Sequence, residues 1–133
     1  MAGQGKTAGG SEAGTGAGAR SGALYLAVRY LQVQTTTDSR AEAIELGQAA
    51  VAARLAACAQ VAGPIASTYW WDEKLERAEE WLIMLKLPAD RYDELAEFLT
   101  EQHSYDEPEI IATPIVAGAP GYLSWMDEET RPE

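Results

Sequence analysis

From Leu24 to Thr37 apolar residues fall on alternate positions. Leu26, Val28 and Tyr30 share one side, and Ala27, Leu31 and Val33 the other. This predicts a strand covered on both faces. Thr36-Thr37-Asp38-Ser39 then supplies turn residues and an N-cap. Glu42, three after Ser39, completes a capping box. The period now changes: Ile44, Gly47, Val51, Leu55 and Cys58 recur at spacings of three and four, which predicts a helix from Ser39 to Ala57. Cys58 to Trp71 reads as extended, broken at Gly63-Pro64, with Ile65, Ser67, Tyr69 and Trp71 on one side and Ala66, Thr68 and Trp70 on the other. Asp72 to Glu80 is a polar connector. Trp81 to Leu87 is a further strand, with Trp81, Ile83, Leu85 and Leu87 opposed to Leu82, Met84 and Lys86. Two strands and a polar turn make a hairpin. Pro88 opens a second helix reaching about His103, and Tyr92, Leu95, Ala96 and Leu99 form its buried stripe. Glu109 to Ala117 is the fourth strand, Gly118 to Gly121 a turn, and Tyr122 to Glu129 a short terminal helix.

The order β-α-β-β-α-β, then a helix, is the α+β ferredoxin-like pattern: one antiparallel sheet with two helices on one face. The strands carry apolar residues on both faces, Trp70 and Met84 among them. A bare apolar face predicts self-association through the sheet. Ahead of the domain at 24–133, residues 1–23 are rich in Gly, Ala, Ser and Thr without periodicity. Such a segment is expected to be a disordered tail.

Charge narrows the partners. The net charge is -11, which disfavours nucleic acid and anionic membrane. One cysteine excludes an internal disulfide. There is no apolar run of membrane-spanning length and no apolar signal core near the N-terminus. A soluble cytoplasmic protein is the expectation.

The densest chemistry lies in His103-Ser104-Tyr105-Asp106-Glu107-Pro108-Glu109, which holds the only histidine, a tyrosine and three carboxylates. Imidazole with carboxylates suits a divalent cation. The same residues also suit a helix end that turns into a strand. His103 is either a metal ligand or an imidazole bonded to free carbonyls. Cys58 is either a soft ligand or a small core residue. A closed zinc site needs four N or S ligands, so carboxylates or a second subunit would have to complete any site. There is no serine triad pattern, phosphate loop or dinucleotide fingerprint, so no enzyme is expected.

Several pieces in order carry a family resemblance. They are Arg54-Leu55-Ala56-Ala57-Cys58, Ser67-Thr68-Tyr69-Trp70-Trp71, Leu82-Ile83-Met84-Leu85-Lys86, the His103 to Ile110 stretch, Pro114-Ile115-Val116-Ala117-Gly118 and Tyr122-Leu123-Ser124-Trp125. From about Arg29 to Glu129 the chain resembles the CutA divalent-cation tolerance proteins. It departs from their pattern at Gln60, Glu73, Leu87, Ser104 and Asp106. The resemblance implies a ferredoxin-like homotrimer, similar in architecture to the PII signalling proteins. It also implies a cytoplasmic protein that binds Cu2+ and contributes to metal-ion tolerance. On that pattern the metal candidates are Cys58, His103, Glu107 and Glu109. Tyr69, Trp71, Lys86 and Tyr105 would line a cleft between subunits. Lys86 would bind an anion, pair with Glu109, or bridge to another subunit. A PII-like small-molecule or signalling module and a structural trimer scaffold are the alternatives.

Overall fold

The computed structural model describes residues 28–131. The expected tail and the expected strand start at Leu24 lie outside them. Strand β1 spans Tyr30–Thr37, helix α1 Arg40–Ala52, β2 Cys58–Trp71 and β3 Lys74–Pro88. A 3-10 turn, Ala89–Arg91, leads into α2, Tyr92–Gln102, then β4, Ile111–Pro114, and α3, Pro120–Glu129. The sheet is antiparallel with order β2-β3-β1-β4, the ferredoxin-like arrangement.

Alternation decides which side chains are buried. Leu31, Val33 and Thr35 pair with Leu87, Leu85 and Ile83, and all six are buried. With Ala43, Leu46, Ala50, Leu95 and Leu99 from the helices, the five apolar members belong to one core. Gly47 lets α1 approach closely: a Cβ there would lie 3.0 Å from that of Ala59. The helices α1 and α2 therefore cover one face, and Gln32, Gln34, Met84, Lys86, Cys58 and Gln60 line the other. Helix α3 roofs one end of that second face, where Tyr122 meets Cys58 and Asp127 meets Tyr30. No helix among the described residues is long and apolar enough to cross a membrane.

Four expectations are corrected. Helix α1 ends at Ala52, not Ala57, because Arg54 takes φ 64°, a left-handed conformation that breaks the ladder. The connector expected at Asp72 to Glu80 is mostly strand. The turn is only Asp72-Glu73, with φ 55° and 64°, the two positive values that a tight hairpin turn needs. Pro88 closes β3 instead of opening α2. Strand β4 is four residues long, since only Ile111 to Pro114 pair with β1.

The hairpin β2-β3 runs well past the end of β1. Thr37 pairs with Trp81, yet β2-β3 pairing continues to Trp71 and Lys74. Between Ala62 and Ile65 the register shifts by one residue, a β-bulge. Trp70 and Leu75 pair across the outer hairpin and stand exposed, Trp70 at 72%.

Candidate functional site

His103 caps α2 and is buried. Its Nε2 lies 2.8 Å from the Thr36 carbonyl oxygen, and its Nδ1 accepts from the Tyr105 backbone N–H at 3.0 Å. This pairing fixes the neutral form with the proton on Nε2, since a carbonyl accepts and an amide donates. Burial lowers the His103 pKa below the ordinary imidazole value. The Thr36 bond and the charges of Glu42, Asp38 and Glu80 oppose that shift. Both ring nitrogens are thus committed, so a metal bound at either one would displace a hydrogen bond.

The next two residues extend the same clip. Ser104 donates its N–H and its hydroxyl to the Glu42 carboxylate at 3.0 and 2.9 Å. The capping box is therefore only half made. Ser39 accepts from the Glu42 N–H, but the Glu42 side chain serves Ser104. Tyr105, its ring tilted by 47° with the centroid 4.7 Å from that of His103, donates to Glu80 at 2.8 Å. Burial and the adjacent Glu80 carboxylate push the Tyr105 hydroxyl pKa far up. Three consecutive residues so tie the end of α2 to β1, α1 and β3. Glu80 is 1% exposed and also receives a bond from Ser67. Sequence reasoning passed over Glu80 as one more charge in a polar run. The only available signal was its parity with Leu82 and Met84.

The expected metal set is not brought together within one chain. Cys58 stands opposite Lys86, which in turn stands opposite Gln32. His103 meets β1 four residues further on, at Thr36, a separation of about 13 Å along the strand. Glu107 is exposed, and Glu109 accepts from Gln34 at 2.8 Å. Among the described residues, no three His, Cys, Asp or Glu side chains converge on one cation. The expected cleft residues are also spread out. Tyr69 and Trp71 pair with Glu76 and Lys74 at the outer end of the hairpin, roughly 40 Å of strand from the Cys58–Lys86 pair. Tyr105 lies between them, against Glu80.

Cys58 is not a core residue. It is half-buried, lies on the sheet face away from α1 and α2, and its Sγ is 3.7 Å from the Tyr122 hydroxyl. That contact raises the Tyr122 pKa. Lys86 donates to the Gln60 side-chain carbonyl, not to Glu109.

The family model described as CutA1 divalent ion tolerance protein matches residues 31–129, which is most of the chain. The chain belongs to the CutA1 family. A rice relative named Protein CutA 1, chloroplastic is 33% identical over 115 residues, covering 86% of this chain and 65% of the rice protein. A CutA protein of Arabidopsis thaliana is 34% identical, and the chain spans 57% of its length. A divalent-cation tolerance protein CutA from Archaeoglobus fulgidus is 33% identical over 96 residues, 72% of this chain and 93% of that protein. The solved CutA1 of Thermus thermophilus superposes with a TM-score of 0.74 at 32% identity, covering 77% of this chain and 99% of that one. The match takes in the sheet from Leu31 onward, the three α-helices of the described residues and the His103 clip.

Proposed function

We propose that this CutA1 chain is a divalent-cation-binding protein of the cytosol. In this reading it acts as a homotrimer, prefers copper(II), contributes to metal tolerance and carries no enzymatic activity. The observation that supports it best is the position of Cys58. A soft ligand stands at the margin of an open sheet face, outside the core, where a neighbouring copy can add donors. Glu107 and Glu109, at the opposite edge of the sheet, are the carboxylates such a copy would bring. Copper stands highest in the divalent affinity order for mixed N, O and S ligands.

The test is a calorimetric titration of copper(II) into metal-free protein, with zinc(II) in parallel. Saturable copper binding that is weakened in Cys58→Ser supports the reading. His103→Gln is expected to weaken it less, because both ring nitrogens already have partners. Copper affinity unchanged in both variants defeats the site assignment. A light-scattering mass equal to one 14.3 kDa chain at micromolar concentration defeats the trimer.

A further inference from the structure

Glu107 and Glu109 stand two residues apart, and the fold treats them differently. Glu107 is exposed and holds no hydrogen bond among the described residues. Glu109 is half-buried, and its Oε2 accepts from the Gln34 side-chain amide at 2.8 Å. The sheet sets up this bond. Gln34 lies in β1, opposite Met84 of β3 on one side and Ile111 of β4 on the other, and its side chain is on the face away from α1 and α2. A strand paired on both sides presents its side chains from a rigid base. Glu109 comes two residues before Ile111, the spacing that returns an extended chain to the same face.

The bond takes up one carboxylate oxygen. Among the described residues Glu109 Oε1 has no partner, and no Lys or Arg lies within ion-pair distance of either oxygen. Gln34 is neutral, so the carboxylate keeps its full charge. A lysine or arginine in its place would hold Glu109 equally well, but would cancel that charge and repel a cation. A neutral donor orients the group without neutralising it, as the hydrogen-bond partners of metal-ligating carboxylates do. It also removes part of the rotamer freedom that a free glutamate loses on binding. Cys58 is on edge strand β2 and Glu109 beside edge strand β4, at opposite margins of the sheet. A site that uses both therefore draws Glu109 from another copy.

We infer, on the reading that copper(II) binds between copies, that Gln34 is a positioning residue. It makes Glu109, and not Glu107, the carboxylate given to the ion.

Copper(II) is titrated by calorimetry into the metal-free full chain and into Gln34→Leu, Glu109→Gln, Glu107→Gln and the double variant of Gln34 and Glu109. The assembly mass of each is taken by light scattering. Gln34→Leu and Glu109→Gln should each weaken copper binding roughly tenfold or more, and Glu107→Gln should leave it unchanged. The double variant should bind no more weakly than Glu109→Gln alone, because Gln34 acts only through Glu109. At saturation the electron paramagnetic resonance spectrum of the bound copper should match the wild type in Gln34→Leu and differ in Glu109→Gln, since only the second loses a ligand. Gln34→Ser, polar but too short to reach Glu109, should repeat the loss and so exclude an effect of leucine on packing. Undiminished affinity in Gln34→Leu overturns the assignment. So does a further loss in the double variant, a loss found only where the assembly mass falls, or an equal loss in Glu107→Gln. Saturable wild-type binding that Glu109→Gln leaves untouched overturns the assignment alone, whereas a wild-type chain without saturable copper binding overturns the copper reading and the assignment together.

Discussion

Acid is expected to loosen this fold through His103. The buried imidazole is neutral, with its Nδ1 lone pair taken by the Tyr105 N–H. Protonation turns that acceptor into a donor facing a donor. Burial lowers the folded-state pKa, whereas the unfolded chain titrates near the ordinary value of about 6.5. The sign follows directly. Above that ordinary value neither state binds the proton, and the contribution to stability is complete. As pH falls through and below it, the unfolded state gains a proton that the folded state refuses. The cost is up to about 1.4 kcal/mol per pH unit, until the lowered folded value is reached. Many carboxylates titrate somewhat lower, so the assay compares two proteins. Urea unfolding of the wild type and of His103→Gln is measured at pH 7.5 and 5.5. The glutamine keeps a donor toward Thr36 but cannot protonate. It should cost about 1–2 kcal/mol at pH 7.5 by losing one hydrogen-bond partner. The gap should narrow by about 1 kcal/mol at pH 5.5. Parallel pH dependences for the two proteins would refute the reasoning, because they would show that His103 titrates alike in both states.

Three further outcomes follow from particular contacts. Tyr105→Phe removes a buried donor to Glu80 and should cost about 2 kcal/mol in urea unfolding, with Glu80→Gln non-additive in the double variant. In the wild type the raised Tyr105 pKa adds stability that is complete below about pH 10 and is lost as pH rises beyond it, a loss absent from Tyr105→Phe. Glu73→Gly relieves a left-handed non-glycine residue at the hairpin turn and should raise the unfolding free energy by about 1 kcal/mol, read as a higher thermal midpoint. Gly63→Ala would place a Cβ 2.6 Å from the Trp81 ring and should destabilise by about 1–3 kcal/mol; an unchanged midpoint would show that Trp81 moves freely.

Much of the architecture is written in periodicity. The alternation in β1 and in Trp81 to Leu87, the three-and-four spacing of α1 and the stripe of α2 gave the element order and the buried faces. The errors fall where local composition does not report the deciding force. Arg54 ends α1 without a glycine or proline to mark it, and the alanines beyond it look helical. Lys74 to Glu80 is polar on both sides because the hairpin there leaves the body of the domain, so neither side shows an apolar rhythm. The site was less legible. The sequence drew attention to His103 and Tyr105, but their partners Thr36, Glu42 and Glu80 come from three distant elements. Only the folded chain reveals that the imidazole has no lone pair to spare. For Cys58 the reverse holds, since a cysteine after Leu55-Ala56-Ala57 reads equally as core, and the pairing with Lys86 places it outside.

The bulge between Ala62 and Ile65 has an effect on how this chain can change by insertion and deletion. It adds one residue to β2 against β3, so Ile65, Ser67, Tyr69 and Trp71 stand on the same side of the ribbon as Cys58 and Gln60, although their numbers are odd and those are even. Losing a single residue at 63–64 would remove the bulge and leave the pairs of both halves as they are, with Tyr69 still opposite Glu76 and Trp71 opposite Lys74. The same loss elsewhere in β2 would turn part of the arm over unless the bulge took it up. Residues 63–64 are thus the place where this strand can shorten by one residue and keep both surfaces of the hairpin arm.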